Sequence, residues 1–340
     1  MHTLPPFWAN ACRLSGRLDL SQLISSNEDL GFLETASLSR LTECGIPPRY
    51  AKRLTGGVPL LSAAPFITLT DSDYPAALRC IPFAPPVLFY RGNLSLTERP
   101  TISIVGARRC THLGSRFAKH LAGEVQRKGG VVVSGFADGI DTAAHAGSVP
   151  NTIGVLGHGL AHPLSGRRSR AAEHLLHAGG LLLSEFPNDY PPGRHTFPLR
   201  NRIIAGLSGA TVVVEAGHRS GALITARQAL EQGSAVYAVP GHPLMDTHAG
   251  CLKLIEQGAT ILFSADDLAH LLPKHGDQTE RNPAGQHAAL LEQIGHGLNF
   301  DQIQAQTNLS VVALTRILRA LEMTGHLERL PGDRYARIIP

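Results

Sequence analysis

Seven short apolar runs, separated by longer helical stretches, occupy residues 101 to 262 of this 340-residue chain. Because each run is apolar throughout, without alternating polar positions, each is expected to be a strand buried on both faces. The runs are 101–105, 130–134, 152–156, 180–184, 211–215, 235–239 and 259–262, and the helical stretches between them are 113–128, 140–148, 167–178, 199–208, 221–232 and 249–257. This alternation predicts an α/β fold, a Rossmann-type doubly wound parallel sheet with helices on both faces.

Residues 212 to 227 show the pattern most clearly. Three consecutive valines, 212–214, form the strand, a glycine-broken loop follows, and Ser220-Gly221 opens the next helix. A strand, a turn and a helix N-terminus leave free backbone N–H groups that can face an anion. The basic residue Arg219 lies at the tip of the loop. The segment is therefore expected to contribute to an anion-binding site.

The segments on either side of the sheet differ from it in pattern. Short helical patterns broken by glycine, serine and proline come first, and residues 65–100 read as a proline-rich strap leading into the sheet. A polar stretch rich in glycine and proline follows the sheet, and then three helical patterns and a hairpin, which together predict a winged helix. Whether that winged helix contacts DNA or protein stays open. The predicted division is a helical, SAM-like module at 1–62, a Rossmann-type domain at 63–272, a linker at 273–285 and a winged-helix domain at 286–340.

Composition places few limits on function. The formal net charge is only +4, although 26 of the 31 basic residues are arginine. The planar guanidinium of arginine suits phosphates and bases, but GC-rich coding produces the same bias. The five cysteines are scattered without a C-x-x-C pair, which is typical of the reducing cytoplasm. Neither a signal peptide nor a window of 18 apolar residues is present, so we expect a cytoplasmic protein without a membrane partner.

Candidate ligand-binding residues cluster after the predicted strands. In an open parallel sheet, ligands bind at the carboxyl ends of the strands near the switch point, and small residues there expose backbone N–H groups. Such residues follow the first strand at 106–109 and the second at 134–141. Arg200 and Arg202 begin a predicted helix with Phe197 just before them. Arginines beside an aromatic ring combine phosphate neutralisation with base stacking, the combination that binds a single strand.

Motifs for other chemistries are missing. The chain has no complete G-x-G-x-x-G, because His162 stands where the third glycine of the 157–162 loop belongs, and it has no P-loop sequence. No H-E-x-x-H or cysteine–histidine set predicts a metal, and no G-x-S-x-G marks a nucleophile. We therefore expect neither a cofactor nor a metal.

Taken together, these motifs resemble the DNA-processing protein A (DprA/Smf) family over about residues 85 to 270. The motifs that carry the resemblance are Ile104-Val105-Gly106-Ala107-Arg108, the run from Ser134 to His145, Phe197 with the run from Arg200 to Ser208, and the run from Glu215 to Arg227. The N-terminal helical module and the C-terminal winged helix also resemble that family's layout. One loop departs from the pattern, because His158-Gly159-Leu160 replaces the family's usual Cys-Gly-Leu.

The resemblance implies a protein without catalytic activity that binds single-stranded DNA, forms a homodimer and loads the RecA recombinase during natural transformation. By position, Arg108 corresponds to the family's glycine-x-arginine residue, and residues 200–202 to a second basic segment. The predicted DNA-binding residues are Gly106, Arg108, Ser134, Gly135, Phe197, Arg200, Asn201, Arg202, Arg219, Ser220, Gly221 and Thr225.

Two alternatives stay open at this stage. The core also resembles, more distantly, the LOG-type nucleotide phosphoribohydrolases, but their P-G-G-x-G-T-x-x-E signature is missing near residues 215–221. Release of free base from nucleoside monophosphates would favour this enzymatic alternative. A sequence-specific regulator that uses the winged helix is the second alternative, and preference for one duplex sequence would favour it.

Overall fold

The structure is a computed structural model that describes residues 2–20, 30–164, 166–272, 288–295, 297–307, 309, 311–323, 326–330 and 334–337. Two compact units divide the chain, Met1–Pro273 and Lys274–Pro340. The predicted linker, 273–285, lies outside the described residues, and the predicted boundary at residue 62 stays a prediction.

The N-terminal segment is mostly helical, as its pattern predicts, but two short strands at its ends also pair with each other. Its elements are β1 (His2–Leu4), α1 (Pro6–Arg13), a 3-10 turn (Leu30–Glu34), α2 (Leu38–Glu43), α3 (Pro48–Leu54) and β2 (Leu60–Ser62). Strands β1 and β2 pair antiparallel. The turn between α2 and α3 contains Gly45 with φ of +89°, the left-handed conformation that glycine adopts without steric cost.

A nine-stranded sheet forms the centre of the first unit. Its strands are β3 (Phe66–Thr68), β4 (Val87–Gly92), β5 (Thr101–Val105), β6 (Val131–Ser134), β7 (Thr152–Leu156), β8 (Leu181–Ser184), β9 (Ala210–Val213), β10 (Ala235–Ala238) and β11 (Thr260–Ile261). They lie in the order β11-β10-β9-β5-β6-β7-β8-β4-β3. The seven predicted strands are confirmed and all pair in parallel with one another.

The other two strands, β3 and β4, are antiparallel and extend the sheet beyond β8. The sequence predicted only a strap for residues 65–100. Strand β3 has three residues and prolines flank both strands, so no local periodicity distinguishes them from a loop; pairing with β8 decides their conformation.

Helices cover both faces of the sheet, and all except α4 match the predicted stretches. They are α4 (Ala76–Arg79), α5 (His112–Arg127), α6 (Ile140–Ser148), α7 (Arg167–His177), α8 (Thr196–Leu207), α9 (Gly221–Glu231) and α10 (Ala249–Glu256), with 3-10 turns at Leu94–Glu98, Asp246–His248 and Ala265–Leu271. One apolar cluster joins α5 and α6 to one face of the sheet, and a larger cluster joins the N-terminal segment, α8 and α9 to the other. This is the predicted Rossmann-type architecture.

The second unit contains three helices and a three-stranded sheet, which confirms the predicted winged helix. Its elements are α11 (Ala288–Ile294), β12 (Leu298–Asn299), α12 (Phe300–Thr307), α13 (Val311–Met323), β13 (Leu327–Leu330) and β14 (Arg334–Arg337). A separate apolar cluster, including Leu291, Leu314 and Leu327, holds these elements together. No helix in the described ranges is long and apolar enough to cross a membrane.

Candidate nucleic-acid interface

A cavity of about 520 Å³ opens at the carboxyl edge of the sheet, where β5 and β9 lie side by side. After β5 the chain continues to β6, which lies on one side of β5, whereas β9 lies on the other side. The loops that follow β5 and β9 therefore diverge and leave a crevice between them. The cavity is lined by Val105, Gly106, Ala107, Arg108, Arg109, Ala137, Asp141, Phe197, Arg200, Asn201, Ile204, Gly217, Arg219, Ser220, Gly221, Ala222 and Thr225. Nine of the twelve predicted site residues are in this lining.

Arg108 and Phe197 form the exposed part of the cavity wall. The guanidinium carbon of Arg108 lies 5.1 Å from the centre of the Phe197 ring, a cation–π arrangement. Arg108 is exposed and Phe197 is half-buried. Within the described residues, no carboxylate pairs with Arg108. The pair therefore offers a free positive charge directly above an aromatic face.

Gly106 allows the turn after β5 to approach the neighbouring loop. A Cβ at this position would lie 2.6 Å from Cγ1 of Ile140 and 2.9 Å from the carbonyl oxygen of Glu215. The next residue, Ala107, donates its backbone N–H to that same carbonyl at 2.7 Å. The absence of a side chain at Gly106 thus brings the two loops of the cavity together, as the position of this glycine predicts.

Arg200 forms part of the cavity floor. It is buried, and its guanidinium donates to the carbonyl oxygens of Gly135 and Val155, while its Nε donates to the side chain of Asn201 at 3.1 Å. Burial lowers the pKa of Arg200 to about 10; the negative charge of Asp141 acts in the opposite direction and the positive charge of Arg108 in the same direction. The side chain is consequently still protonated at neutral pH, and the floor carries a positive charge with little water around it.

Asp141 is a buried carboxylate in the same wall. Burial raises its pKa above the ordinary value, although Arg200 and the N–H groups of Gly135 and Ala137 act in the opposite direction. Those two N–H groups donate to its Oδ2 at 3.1 and 3.3 Å. Asp141 therefore fixes the loop after β6.

The N-terminus of α9 closes the opposite side of the cavity. Ser220 is its N-cap and accepts a hydrogen bond from the N–H of Ala222 at 3.3 Å. Gly221 follows, and a Cβ added there would meet no atom within 4 Å. Arg219 is exposed at the tip of the loop, and Thr225 is buried one turn into the helix. The structure thus presents the predicted helix N-terminus to the cavity.

Glu215 positions the loop that carries Arg108, a contribution that the sequence did not reveal. Its buried carboxylate accepts hydrogen bonds from the backbone N–H of Thr111, at 2.9 Å, and from the Thr111 hydroxyl. Thr111 in turn is the N-cap of α5, accepting from the N–H of Gly114 at 3.0 Å. The only local signal was an acidic residue at the end of an apolar strand, which does not identify a partner 104 positions away.

Three predicted site residues lie outside the cavity lining. Ser134 is buried and donates its hydroxyl to the carbonyl of Ile104 at 2.6 Å. Gly135 contacts Asp141 and Arg200 through its backbone. Arg202 is buried on the other side of α8, where it pairs with Glu185. Any contribution of these three residues to binding stays a prediction.

Among the described residues, no group of three or more histidine, cysteine or acidic side chains is placed to hold a metal ion. His158 and His162, which share the loop after β7, contact each other edge-to-face with their ring centres 5.2 Å apart. Burial lowers the pKa of His158, so its ring is neutral at physiological pH. The pair is thus part of the loop packing.

Two protein-family models match the chain. The model of DNA recombination-mediator protein A matches residues 65–273, and the model of the DprA winged helix domain matches residues 274–333. The chain belongs to the DNA recombination-mediator protein A family. The match includes every residue of the cavity lining, so the cavity lies within the family's own domain.

Relatives with known sequences agree with this assignment. The DNA processing protein DprA of Bacillus subtilis is 43% identical over 217 residues, which cover 62% of this chain and 72% of that protein. The protein Smf of Escherichia coli is 36% identical over 287 residues, covering 79% of this chain and 76% of that protein.

Two solved structures share the fold. DNA processing protein A of Streptococcus pneumoniae superposes with a TM-score of 0.66 at 31% identity, covering 81% of this chain and 100% of that chain. The Helicobacter pylori protein, whose structure was described for its single-stranded DNA binding mode, superposes with a TM-score of 0.56 at 27% identity, covering 62% of this chain and 97% of that chain.

Proposed function

We propose that this protein binds single-stranded DNA in the cavity at the β5–β9 edge and acts without catalysis. The observation that carries the proposal is the pair of Arg108 and Phe197, a free guanidinium 5.1 Å from an aromatic ring at an exposed cavity wall. A single strand presents phosphates and unstacked bases side by side, and this pair offers one partner for each.

The remaining geometry supports the same ligand. Arg200 places a second positive charge at the floor, and the N-terminus of α9 directs backbone N–H groups toward the cavity from the opposite wall. None of these groups reads a base edge in a duplex groove, so we expect affinity without sequence preference. The similarity to the Helicobacter pylori protein, described by its single-stranded DNA binding mode, supports the same assignment.

The two buried carboxylates beside the cavity, Asp141 and Glu215, support a role without catalysis. Asp141 accepts two backbone N–H groups, and Glu215 accepts Thr111. A general base for water attack needs a carboxylate that is free to approach the substrate, and both of these are engaged in holding loops. We therefore expect no release of free base when the protein is incubated with nucleoside monophosphates.

Loading of the RecA recombinase and homodimer formation are further parts of the proposal, and they rest on family membership. We expect the protein to act in DNA recombination during natural transformation by delivering a bound strand to RecA. Sedimentation velocity checks the homodimer. The rate at which RecA begins ATP hydrolysis on single-stranded DNA, with and without this protein, checks the loading activity.

The experiment that tests the central proposal compares a labelled dT20 oligomer with a 20-base-pair duplex. Wild type is expected to prefer the single strand, and Arg108→Ala to lose most of that affinity. Arg91→Ala is the matched control because Arg91 is exposed on β4, outside the cavity lining. Equal binding by wild type and Arg108→Ala would overturn the proposed site, and preference for one duplex sequence would favour a regulator instead.

A further inference from the structure

Helix α5 follows the loop that carries Arg108 and Arg109. On its solvent-facing side every ionisable side chain but one is basic. Its exposed residues on that side recur at helical spacing. They are His112, Arg116, Lys119, His120 and Arg127. At 100° per residue these positions fall within about 100° of one another around the helix, opposite the buried residues Ala118, Leu121 and Val125. We call this surface the α5 basic stripe.

The segment that contains the stripe carries an unusual share of the chain's charge. Six arginines and lysines and one glutamate lie between residues 108 and 128, a net charge of +5, whereas the whole chain has +4. An ordinary solvated helix face intersperses both signs. Here the single acid, Glu124, is already paired with Arg127 and lies 3.9 Å from His120. A solvated face alone does not explain the imbalance.

Two arginine or lysine residues of the stripe, Arg116 and Lys119, and the preceding Arg109 have no ion-pair partner among the described residues. Such charges repel one another, and that repulsion is relieved when a polyanion binds along them. The arrangement therefore indicates an extended anionic ligand.

The stripe is continuous with the cavity. Arg109 lines the cavity and lies three residues before His112, the first residue of α5. The helix begins at the carboxyl edge of the sheet and runs away from it, and the distance along its axis from His112 to Arg127 is about 22 Å. A ligand that leaves the cavity past Arg109 meets the beginning of the stripe.

We infer that the α5 basic stripe binds the phosphodiester backbone of the same DNA strand after it leaves the cavity. The inference rests on the proposed function, because it requires a strand in the cavity. The cavity holds a few nucleotides. The phosphates that follow contact Arg109 at the cavity edge and then Arg116 and Lys119 of the stripe. No base is recognised there, since none of the exposed residues of the stripe is a tryptophan, tyrosine or phenylalanine.

The test compares oligomers of two lengths. The variant Arg116→Ala/Lys119→Ala removes two unpaired cations, and Arg91→Ala/Lys253→Ala removes two exposed cations from β4 and α10 as a control for net charge. Binding of dT6 and dT30 is measured for each protein over a range of salt concentrations. Both stripe residues are exposed, so circular dichroism and thermal melting are expected to match wild type.

The stripe variant is expected to bind dT30 about tenfold more weakly than wild type, with dT6 affinity nearly unchanged. Its log–log salt slope on dT30 should decrease in magnitude by about 1.4, because each lost phosphate contact on a single strand contributes about 0.7. The control variant should keep the wild-type slope. An equal loss on dT6 and dT30 would overturn the inference, because it would indicate a change in long-range electrostatic attraction and not the loss of direct phosphate contacts along α5.

Failure of the stripe and failure of the cavity give different results. If Arg108→Ala weakens both oligomers and the stripe variant weakens neither, the cavity proposal stands and the stripe is overturned. If Arg108→Ala binds both oligomers like wild type, the cavity proposal fails. A stripe variant that binds both lengths normally but no longer stimulates RecA would assign the surface to a protein partner and overturn its assignment to DNA.

Discussion

Arg200 and Arg202 lie two residues apart on α8, and their side chains leave the helix on opposite sides. Residues two positions apart in an α-helix point in directions that differ by about 200° around its axis. Arg200 consequently faces the cavity, whereas Arg202 forms a buried ion pair with Glu185, with Nη2 2.7 Å from Oε2. One short basic segment thus supplies a residue to the ligand site and another to the junction with the N-terminal segment.

That junction predicts the effect of removing Arg202. Its guanidinium also donates to Ser15 Oγ at 3.1 Å and to the carbonyl of Phe83 at 3.0 Å, so it joins three parts of the first unit. Arg202→Ala leaves the Glu185 carboxylate buried without its counterion, and we expect the free energy of unfolding to fall by about 3–5 kcal/mol. Urea denaturation measures the change.

A companion variant distinguishes stability from binding. Glu185→Gln removes the negative charge and keeps a hydrogen-bonding amide, so it should also destabilise, but with no effect on a ligand in the cavity. If folded Arg202→Ala binds dT20 as wild type does, Arg202 has a structural role only. A loss of binding in Arg202→Ala that exceeds the loss in Glu185→Gln would instead support the sequence prediction that Arg202 contacts DNA.

Arg108 can be tested for the separate contributions of charge and shape. A lysine keeps the positive charge but lacks the planar guanidinium that stacks on Phe197. We expect Arg108→Ala to lower single-strand affinity by about 1–2 kcal/mol and Arg108→Lys to recover about half of that loss. The recovered part should disappear at high salt, because it is a phosphate contact. Fluorescence anisotropy with dT20 at several salt concentrations provides the measurement.

Substitution of two cavity glycines by alanine is expected to have opposite effects on stability. Gly106→Ala places a Cβ 2.6 Å from Ile140, so we expect a loss of about 1–3 kcal/mol of stability. Gly221→Ala meets no atom within 4 Å and lies in the first turn of α9, so its stability should equal or exceed that of wild type.

For Gly221→Ala, DNA affinity is expected to change although stability does not fall. If a phosphate approaches the N-terminus of α9, the added methyl group of Gly221→Ala stands in its path, and affinity should fall although the protein is fully folded. Thermal melting and dT20 titration of the same samples measure both properties. Wild-type affinity in Gly221→Ala would show that the strand does not approach this helix end.

The pH dependence of stability is expected to report on His145. Its Nδ1 lies 2.7 Å from Oγ1 of Thr152, which donates its own proton to the carbonyl of Val132, so Nδ1 donates and Nε2 keeps a lone pair without a partner. Burial lowers the pKa of His145 from 6.5 to about 3. Between these two values the unfolded chain is protonated and the folded chain is not.

Stability should therefore be complete above pH 6.5 and decrease as the pH falls toward 3, by up to about 1.4 kcal/mol per pH unit from this residue. Urea denaturation at pH 7, 6, 5 and 4 measures the slope. His145→Gln should reduce it, whereas His112→Gln, at an exposed position, should not. An unchanged slope in His145→Gln would assign the acid sensitivity to other groups.

Local sequence was sufficient to place most of the cavity. Strand ends after uninterrupted apolar runs must meet at one edge of a parallel sheet, so Gly106, Arg108 and Ser220 could be assigned to a common site from their positions alone. The same reasoning did not separate Ser134, which follows an equally apolar run but directs its hydroxyl to Ile104 within the sheet. A residue's position along the chain does not reveal which way its side chain points at the strand end.

The sequence by itself determined the alternation of strands and helices, the winged helix and the edge of the sheet at which the cavity opens. Each of these follows from spacing between residues close in the chain. Only the tertiary structure decided that β3 and β4 join the sheet, that Glu215 holds Thr111, and that Glu185 neutralises Arg202 while Arg108 has no carboxylate partner among the described residues. The physical reason is that contacts with a partner decide whether a charge is neutralised and whether a short segment forms a strand. These partners come from distant parts of the chain that only the folded core brings together.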